Sequence, residues 1–141
     1  MEPIQKFILE HNTMTLATVG NKIASAAAVF YVPIKKNTSL IFVSSPESEH
    51  ILNCKIEPHC AVTIQDDGLG WKIIKGAQLK GNVNMAEGKY WANYFETYPY
   101  IKSDKTLSKA LEKVKLYEFK IEWARLIDNS KGFGNKKEYN F

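Results

Sequence analysis

The sequence predicts a mainly β protein with peripheral helices, built on an antiparallel sheet of six strands closed into a small barrel. Three observations support this fold class. The chain has 141 residues, which fits a single domain spanning residues 1–141. Short strand-like runs separated by turn signals outnumber the helical patterns. Several runs are continuously apolar, so one face of the sheet is expected to fill the barrel and the other to meet a partner subunit.

The first half of the chain contains two helical patterns and three strand patterns. Apolar residues recur on one face of residues 2–12, which predicts a short amphipathic helix. Ser45 and Pro46 suit the N-cap and the first position of a second helix, which Glu57-Pro58 ends. The expected elements are a helix over 2–12, strands over 14–19, 22–33 and 39–45, and a helix over 46–56.

The second half begins and ends with strands. Gly76 and Gly81 interrupt a long strand pattern, and glycines inside a strand often mark bulges or barrel corners. The aromatic residues between 90 and 98 have helical spacing and are expected to form a packing face. The expected elements are strands over 60–65 and 71–85, helices over 87–98 and 103–114, a last strand over 116–127 and a polar tail over 128–141.

Composition and charge exclude several classes of protein. No apolar stretch reaches the roughly 20 residues that cross a bilayer, and the N-terminus lacks the pattern of a secretory signal. The net charge is +4, but the lysines are scattered and Arg125 is the single arginine, which is atypical of nucleic-acid recognition. The two cysteines, Cys54 and Cys60, are expected to be reduced thiols. We therefore expect a soluble, cytoplasmic protein that binds neither nucleic acid nor membrane.

The segment from Ser44 to His50 is the first candidate site, because a strand ends there and a helix begins. The start of a helix presents unpaired N–H groups and a partial positive charge, and hydroxyls with an imidazole would complete an anion cradle. The alternative is purely structural, with Ser45 capping the helix and Glu47 interacting with the helix dipole. The two glutamates, Glu47 and Glu49, disfavour an anion unless they point to solvent.

Two further candidates carry weaker patterns. His50, Cys54, His59 and Cys60 supply zinc-ligand types, although the adjacent pair matches no common zinc spacing, and the alternative is two thiols buried in the core. Residues 132–137 (Gly-Phe-Gly-Asn-Lys-Lys) place two glycines around an aromatic before two lysines. This spacing is neither a Walker loop nor a dinucleotide fingerprint, and on spacing alone a flexible basic tail is favoured.

Two parts of the sequence together resemble a known family. The run ASAAAVFYVP followed by SLIFVSSPESEH, a helix and CAVTIQ is similar to the FMN-binding split barrel of the pyridoxamine 5′-phosphate oxidase-like superfamily. The segment GAQLKG and the C-terminal DNSKGFGNKK resemble the YhbP-like branch, whose closing motif is Asp-Asn-x-x-Gly-Phe-Gly-Lys-Lys. Asn135 is an additional residue in this motif. The resemblance covers nearly the whole chain in order.

The resemblance implies a six-stranded split barrel that forms a homodimer and holds FMN at the subunit interface. It implies that Ser44, Ser48 and His50 lie at the FMN phosphate, which coincides with the anion cradle suggested by the helix start. It also implies that the flavin ring lies beside Ala28, Phe30 and Gln78. The tail over 128–141, with Gly132, Phe133, Gly134 and Lys136, is expected to close the cofactor site or the dimer seam.

Some positions depart from the family pattern. The second strand offers Ala27, Ala28 and Val29 where classical members carry basic residues, His50 stands where a lysine is common, and the Arg-x-x-Pro-type ending is missing. We therefore expect a flavin-dependent oxidoreductase acting on a small molecule, with NAD(P)H as a candidate electron donor, and not a true pyridoxamine phosphate oxidase. The alternatives are a non-enzymatic binding module on the same barrel and a metal protein using the four histidine and cysteine ligands.

Overall fold

The computed structural model describes residues 1–141 and confirms the mainly β fold. A single eight-stranded sheet runs in the order β2-β1-β5-β6-β7-β4-β3, with β8 paired to β7, and every pairing is antiparallel. The strands are β1 (Thr13–Gly20), β2 (Ile23–Phe30), β3 (Val32–Ile34), β4 (Ser39–Ser44), β5 (His59–Gln65), β6 (Lys75–Met85), β7 (Lys115–Asp128) and β8 (Lys136–Asn140).

The helices are short and lie at the periphery of the sheet. They are α1 (Pro3–Leu9), α2 (Glu49–Ile56), α3 (Trp91–Thr97), α4 (Tyr100–Ser103) and α5 (Lys105–Ala110). The predicted helix over 46–56 begins at Glu49 instead, and that over 103–114 is divided into α5 and a 3₁₀ turn at Leu111–Lys113. None of these helices is long and apolar enough to cross a bilayer.

The predicted strand over 22–33 is interrupted at Tyr31, which makes the corner of the barrel. The Tyr31 side chain is 1% exposed, and its hydroxyl donates to the carbonyl of Ile8 at 2.6 Å. Its own carbonyl accepts from the Tyr98 hydroxyl at 2.7 Å. The chain therefore leaves β1 as β2 and joins β4 as β3. The sheet closes on itself there, except for a split between the free edge of β2 and the end of β4 beyond Ile41.

The polar tail contains an eighth strand that the sequence pattern did not predict. β8 pairs with the end of β7, and Arg125 on β7 binds Glu138 at 2.6 Å. Tyr139 packs against the barrel core. Only this one apolar residue of β8 turns inward, so the strand carries almost no hydrophobic signal. β8 and the break at Tyr31 account for eight strands where six were expected.

The core lies inside the barrel and is closed at one end by α2. Twenty buried residues form the main cluster, to which α2 contributes Ile51 and Cys54. A second cluster packs α3 against β3 and β4, with Tyr94 and Tyr98 buried in it. The predicted packing role of the aromatic run is thus confirmed. The expected irregularity in β6 is also present, as a bulge between Lys80 and Gly81, while residues 71–73 form a 3₁₀ turn.

Candidate functional site

The structure brings Ser44, Ser48 and His50 into one hydrogen-bonded cluster at the end of β4 and the start of α2. The Ser44 hydroxyl lies 2.7 Å from Nε2 of His50 and 2.9 Å from the Ser48 hydroxyl. The Ser48 hydroxyl donates to the carbonyl of Ser45 at 2.8 Å. Ser44 is buried, and the other two side chains are half-buried. Ser44 has the same orientation as Leu40 and Phe42, so the cluster lies at the end of the barrel that α2 covers.

The number of available protons determines how this cluster is bonded. Ser48 must donate to the Ser45 carbonyl, because a carbonyl can only accept. Ser44 must then donate to Ser48, and His50 must donate to Ser44 through Nε2. His50 therefore carries its proton on Nε2 when neutral, and its Nδ1, which has no hydrogen-bond partner within the chain, is available to a ligand. Burial lowers the pKa of His50, and the nearby Glu49 carboxylate opposes this effect.

The helix start differs from the predicted one in a way that favours an anion. Ser48, not Ser45, occupies the N-cap of α2, and its side chain makes no capping hydrogen bond. The first N–H groups of α2 therefore lack a side-chain acceptor. Ser45 instead accepts from the backbone N–H of Glu47 at 3.2 Å. Glu47 and Glu49 are both exposed to solvent.

Ala28 and Gln78 share one row across the outer face of the sheet, although they are far apart in sequence. Ala28 on β2 is opposite Thr15, Thr15 is opposite Thr63, and Thr63 is opposite Gln78 on β6. Three interstrand spacings of ~4.8 Å place the ends of this row about 14 Å apart. Phe30 lies on the same face of β2, and its ring centroid is 5.9 Å from that of Tyr98. Apart from Gln78, the row consists of the small side chains Ala28, Thr15 and Thr63.

The residues from Gly132 to Lys136 lie at the opposite end of β7 from the serine and histidine cluster. Ser44 is opposite Lys115 at the start of β7, whereas the loop follows Asp128 at its end. At ~3.3 Å per residue the two ends are separated by about 40 Å of strand. Within one chain the structure therefore does not bring Gly132, Phe133, Gly134 and Lys136 together with Ser44, Ser48 and His50.

The loop itself is well defined and exposes an aromatic side chain. The carboxylate of Asp128 accepts from the backbone N–H and the hydroxyl of Ser130, and these bonds lower the pKa of Asp128. The Asn129 side chain donates to the carbonyl of Trp71 at 2.8 Å and accepts from the N–H of Gly134 at 3.0 Å. Phe133 is 79% exposed and Trp71 is 78% exposed.

The structure also shows two cations that sequence reasoning did not place at the site. Lys115 is the cross-strand partner of Ser44, and Arg125 donates to the Gln78 side chain at 3.4 Å. Lys115 follows Ser44 by 71 positions, so no local pattern could pair them. The lone arginine in a strand-like run was the one available signal for Arg125.

The four proposed zinc ligands do not form a cluster. No group of three or more histidine, cysteine, aspartate or glutamate side chains is placed to hold a metal ion. His50 bonds to Ser44, and His59 bonds to Glu57 through Nδ1 at 2.7 Å. The thiols of Cys54 and Cys60 interact with each other, which raises the pKa of Cys60 and lowers that of Cys54. The geometry therefore gives no support to the metal alternative.

The closed antiparallel sheet, its open split and the helix at one end define a split β-barrel protein. Residues 1–128 match the pyridoxamine 5′-phosphate oxidase family, and the chain belongs to that family. It is also similar to a UPF0306 protein of Campylobacter jejuni, with 27% identity over 140 residues, which are 98% of this chain and 96% of that protein.

Solved structures share the fold at lower sequence identity. A conserved hypothetical protein from Mycobacterium tuberculosis aligns with a TM-score of 0.75 and 19% identity, covering 93% of this chain and 87% of that one. A heme binding protein from Mycobacterium smegmatis aligns with a TM-score of 0.71 and 16% identity, covering 96% and 56%. An FAD-binding protein from Mesorhizobium loti aligns with a TM-score of 0.68 and 14% identity, covering 88% and 92%.

Proposed function

We propose that this protein binds FMN at the seam between two copies of the chain and uses it in redox chemistry on a small molecule. The observation that carries the proposal is the cluster of Ser44, Ser48 and His50 at the uncapped start of α2. It combines two hydroxyls, an imidazole Nδ1 that becomes a donor when His50 is protonated, and backbone N–H groups of α2 without a side-chain acceptor. These are the donors that a phosphate group requires.

The chemistry of these donors fits a phosphate monoester. Two hydroxyls, the Nδ1 of a protonated His50 and the first N–H groups of α2 would each bond a phosphate oxygen. Glu47 and Glu49 are exposed and do not occupy the cradle. In the free protein the two hydroxyls and the imidazole are hydrogen-bonded to one another. On binding, these bonds would be exchanged for bonds to the phosphate oxygens.

The outer row from Ala28 to Gln78 fits a flat ring system. Its small side chains, Ala28, Thr15 and Thr63, leave room for a planar group, and Gln78 offers an amide at one end. Ser44 is oriented toward the barrel interior, whereas this row faces outward. A cofactor that contacts both must therefore cross the split between β2 and β4, where neither strand has a neighbour.

A second copy of the chain would complete the site. The loop at Gly132–Gly134 lies at the far end of β7 from its own cluster, so it could reach a phosphate cradle only in a partner. Phe133 and Trp71 are exposed apolar groups, and solvent-exposed aromatic clusters are typical of interfaces. On β2, Ala24, Ala26 and Ala28 are exposed as well and add a flat apolar strip to the outer face of the sheet.

When bound, FMN would supply the hydride-transfer chemistry, and the protein's part would be binding, orientation and exclusion of water. A nicotinamide or a similar two-electron donor would be the reductant. The basic side chains that classical members carry on the second strand are replaced here by Ala27 and Ala28. We therefore propose a small-molecule substrate other than pyridoxamine phosphate.

The deciding experiment is an absorbance spectrum of the purified protein, repeated on the filtrate after denaturation. The proposal predicts flavin bands that pass into the filtrate, with one FMN per chain and two chains per particle in sedimentation. Reduction of the bound flavin by NADH or NADPH would support the enzyme, whereas tight FMN without reduction by either donor would favour a carrier. A colourless protein that does not quench added FMN would refute flavin binding.

Heme binding is a second candidate, favoured by the arrangement of His59. Its Nδ1 is bonded to the Glu57 carboxylate, which leaves Nε2 free, and carboxylate-oriented histidines are common metal ligands. The Nε2 atoms of His11 and His50 are both hydrogen-bonded already. His59 lines an open cavity of about 480 Å³ whose walls include Ala17, Ala61 and Gly81. Hemin titration would show a Soret shift abolished by His59→Ala and retained in His50→Ala; the opposite result would reject this ligand.

A further inference from the structure

A separate cavity lies at the end of the barrel closed by α2. It has a volume of about 380 Å³ and is bounded by α2, the end of β6 and the start of β7. That volume falls in the range of pockets for small organic ligands. Its walls include Ile51, Lys55, Val83, Met85, Lys115 and Tyr117. Ser44, Ser48 and His50 do not line it, although Lys115 does.

The inner wall of this cavity is apolar and belongs to the protein core. Ile51 and Val83 are both buried, and Pro46 and Pro58 form part of the lining. An apolar body placed here would contact the same side chains that pack the end of the barrel. Burial of that body would supply binding free energy at about 25 cal/mol per Å² of apolar surface.

The rim of the cavity is cationic and carries no opposing charge. Lys55, from the last turn of α2, and Lys115, from the first residue of β7, both line it. Neither lysine forms an ion pair within the chain, and none of the ten lining residues is acidic. The pocket therefore presents two unpaired positive charges beside an apolar wall.

Tyr117 provides a hydrogen-bond donor in the same place. Its side chain is 4% exposed, and its hydroxyl has no partner within the chain. The hydroxyl of Tyr139 is the only buried polar side-chain atom that lacks both solvent and a partner, so the unpartnered Tyr117 hydroxyl is accessible to solvent. Tyr117 lines the cavity, which makes its hydroxyl a candidate donor there. Burial raises the pKa of Tyr117, which keeps the hydroxyl protonated. A ligand oxygen in the cavity would accept a hydrogen bond from this hydroxyl in place of solvent.

We propose that this cavity binds an organic anion, namely a carboxylate or sulfonate attached to a compact aromatic or branched apolar body. The anionic group pairs with Lys55 and Lys115 and accepts the Tyr117 hydroxyl, while the apolar body contacts Ile51 and Val83. This anion site is distinct from the proposed flavin site. The two sites adjoin, because Lys115 lies opposite Ser44.

The test uses the full-length protein and a fluorescent anion, 1-anilinonaphthalene-8-sulfonate. We expect one probe per chain, with roughly fivefold weaker binding in Tyr117→Phe and roughly tenfold or greater weakening in Lys55→Gln combined with Lys115→Gln. N-phenyl-1-naphthylamine, the same body without the sulfonate, should bind with an affinity that the lysine changes do not alter. Thermal unfolding confirms that each variant is folded.

The control is Lys105→Gln combined with Lys109→Gln, which removes the same charge from α5. Equal weakening by this pair would show that the probe responds to net charge, and it would overturn the proposal. So would probe binding that Lys55→Gln and Tyr117→Phe leave unchanged. Another outcome is that FMN or inorganic phosphate displaces the probe while probe binding still depends on Lys55. That result would assign the cavity to the phosphate site and overturn the proposal of a separate anion site. Absence of probe binding at millimolar concentration would also overturn it.

Discussion

Replacing His50 should separate the binding of FMN from that of riboflavin. The hydrogen bonds of the cluster commit Nε2 of His50 to Ser44, so one nitrogen, Nδ1, remains for a phosphate. A hydrogen bond to a charged group contributes about 1.5–3 kcal/mol, which corresponds to roughly 10- to 150-fold in Kd. His50→Gln retains a donor where Nε2 lies but has no second nitrogen. We expect it to weaken FMN binding by that factor and to leave riboflavin binding unchanged.

The same geometry predicts proton uptake on binding. Burial lowers the pKa of His50, so the free site holds a neutral imidazole at neutral pH. A bound phosphate would raise this pKa, because an anion stabilises the charged form. FMN affinity should therefore increase as pH falls from above the bound-state pKa to below the free-state pKa. The phosphate of FMN also titrates, and it does so equally with both proteins. The ratio of the wild-type affinity to the His50→Gln affinity, followed against pH, therefore reports His50 alone.

Isothermal titration calorimetry in two buffers of different ionisation enthalpy measures both effects. The wild type should take up a fraction of one proton per FMN near pH 7, and riboflavin should take up none. His50→Ala is the matched comparison, since it also removes the donor to Ser44 and should weaken FMN at least as much as His50→Gln. Equal affinities for FMN and riboflavin, or no change in His50→Gln, would refute the assignment of the phosphate to this cluster.

Three further predictions concern stability and assembly. Gly81→Ala should lower the free energy of unfolding by about 1–3 kcal/mol, because a Cβ there would lie 1.9 Å from the carbonyl oxygen of Lys120. Gly88→Ala meets open space and is the control in the same urea titration. Ala17→Glu on the outer face should yield monomers in sedimentation velocity, and an unchanged dimer would reject that face as the seam. Asp128→Asn should destabilise the chain at neutral pH, and because the native pKa of Asp128 is depressed, the difference from wild type should vanish as pH falls through that pKa.

Local hydrophobic patterns predicted the bounds of three strands closely. β1, β4 and β5 were predicted to within one or two residues at each end, since each alternates or is continuously apolar. The break at Tyr31 was not predictable, because its cause lies in hydrogen bonds to Ile8 and Tyr98, which are distant in the sequence. β8 was missed because its stability depends on Arg125 and on one inward tyrosine.

The residues of the candidate site also divide into those that a local sequence pattern predicted and those that depend on contacts between distant segments. Ser44, Ser48 and His50 lie within seven residues, so the strand end and helix start indicated their proximity. Ala28 and Gln78 came from resemblance to a family, and the sheet register places them on one row. The cavity beside Lys55 and Tyr117 depends on how α2 packs over two strands that follow much later in the chain. No sequence spacing encodes that packing.

The position of β7 has a consequence for synthesis of the chain. β7 is the one strand that joins the β2-β1-β5-β6 half of the sheet to the β4-β3 half, and it begins at residue 115 of 141. On the ribosome, the facing edges of β4 and β6 remain unpaired until β7 has emerged. Unpaired edges are prone to association. Closure of the barrel is therefore expected to wait for β7, and nascent chains truncated before β7 should require chaperones to stay unaggregated.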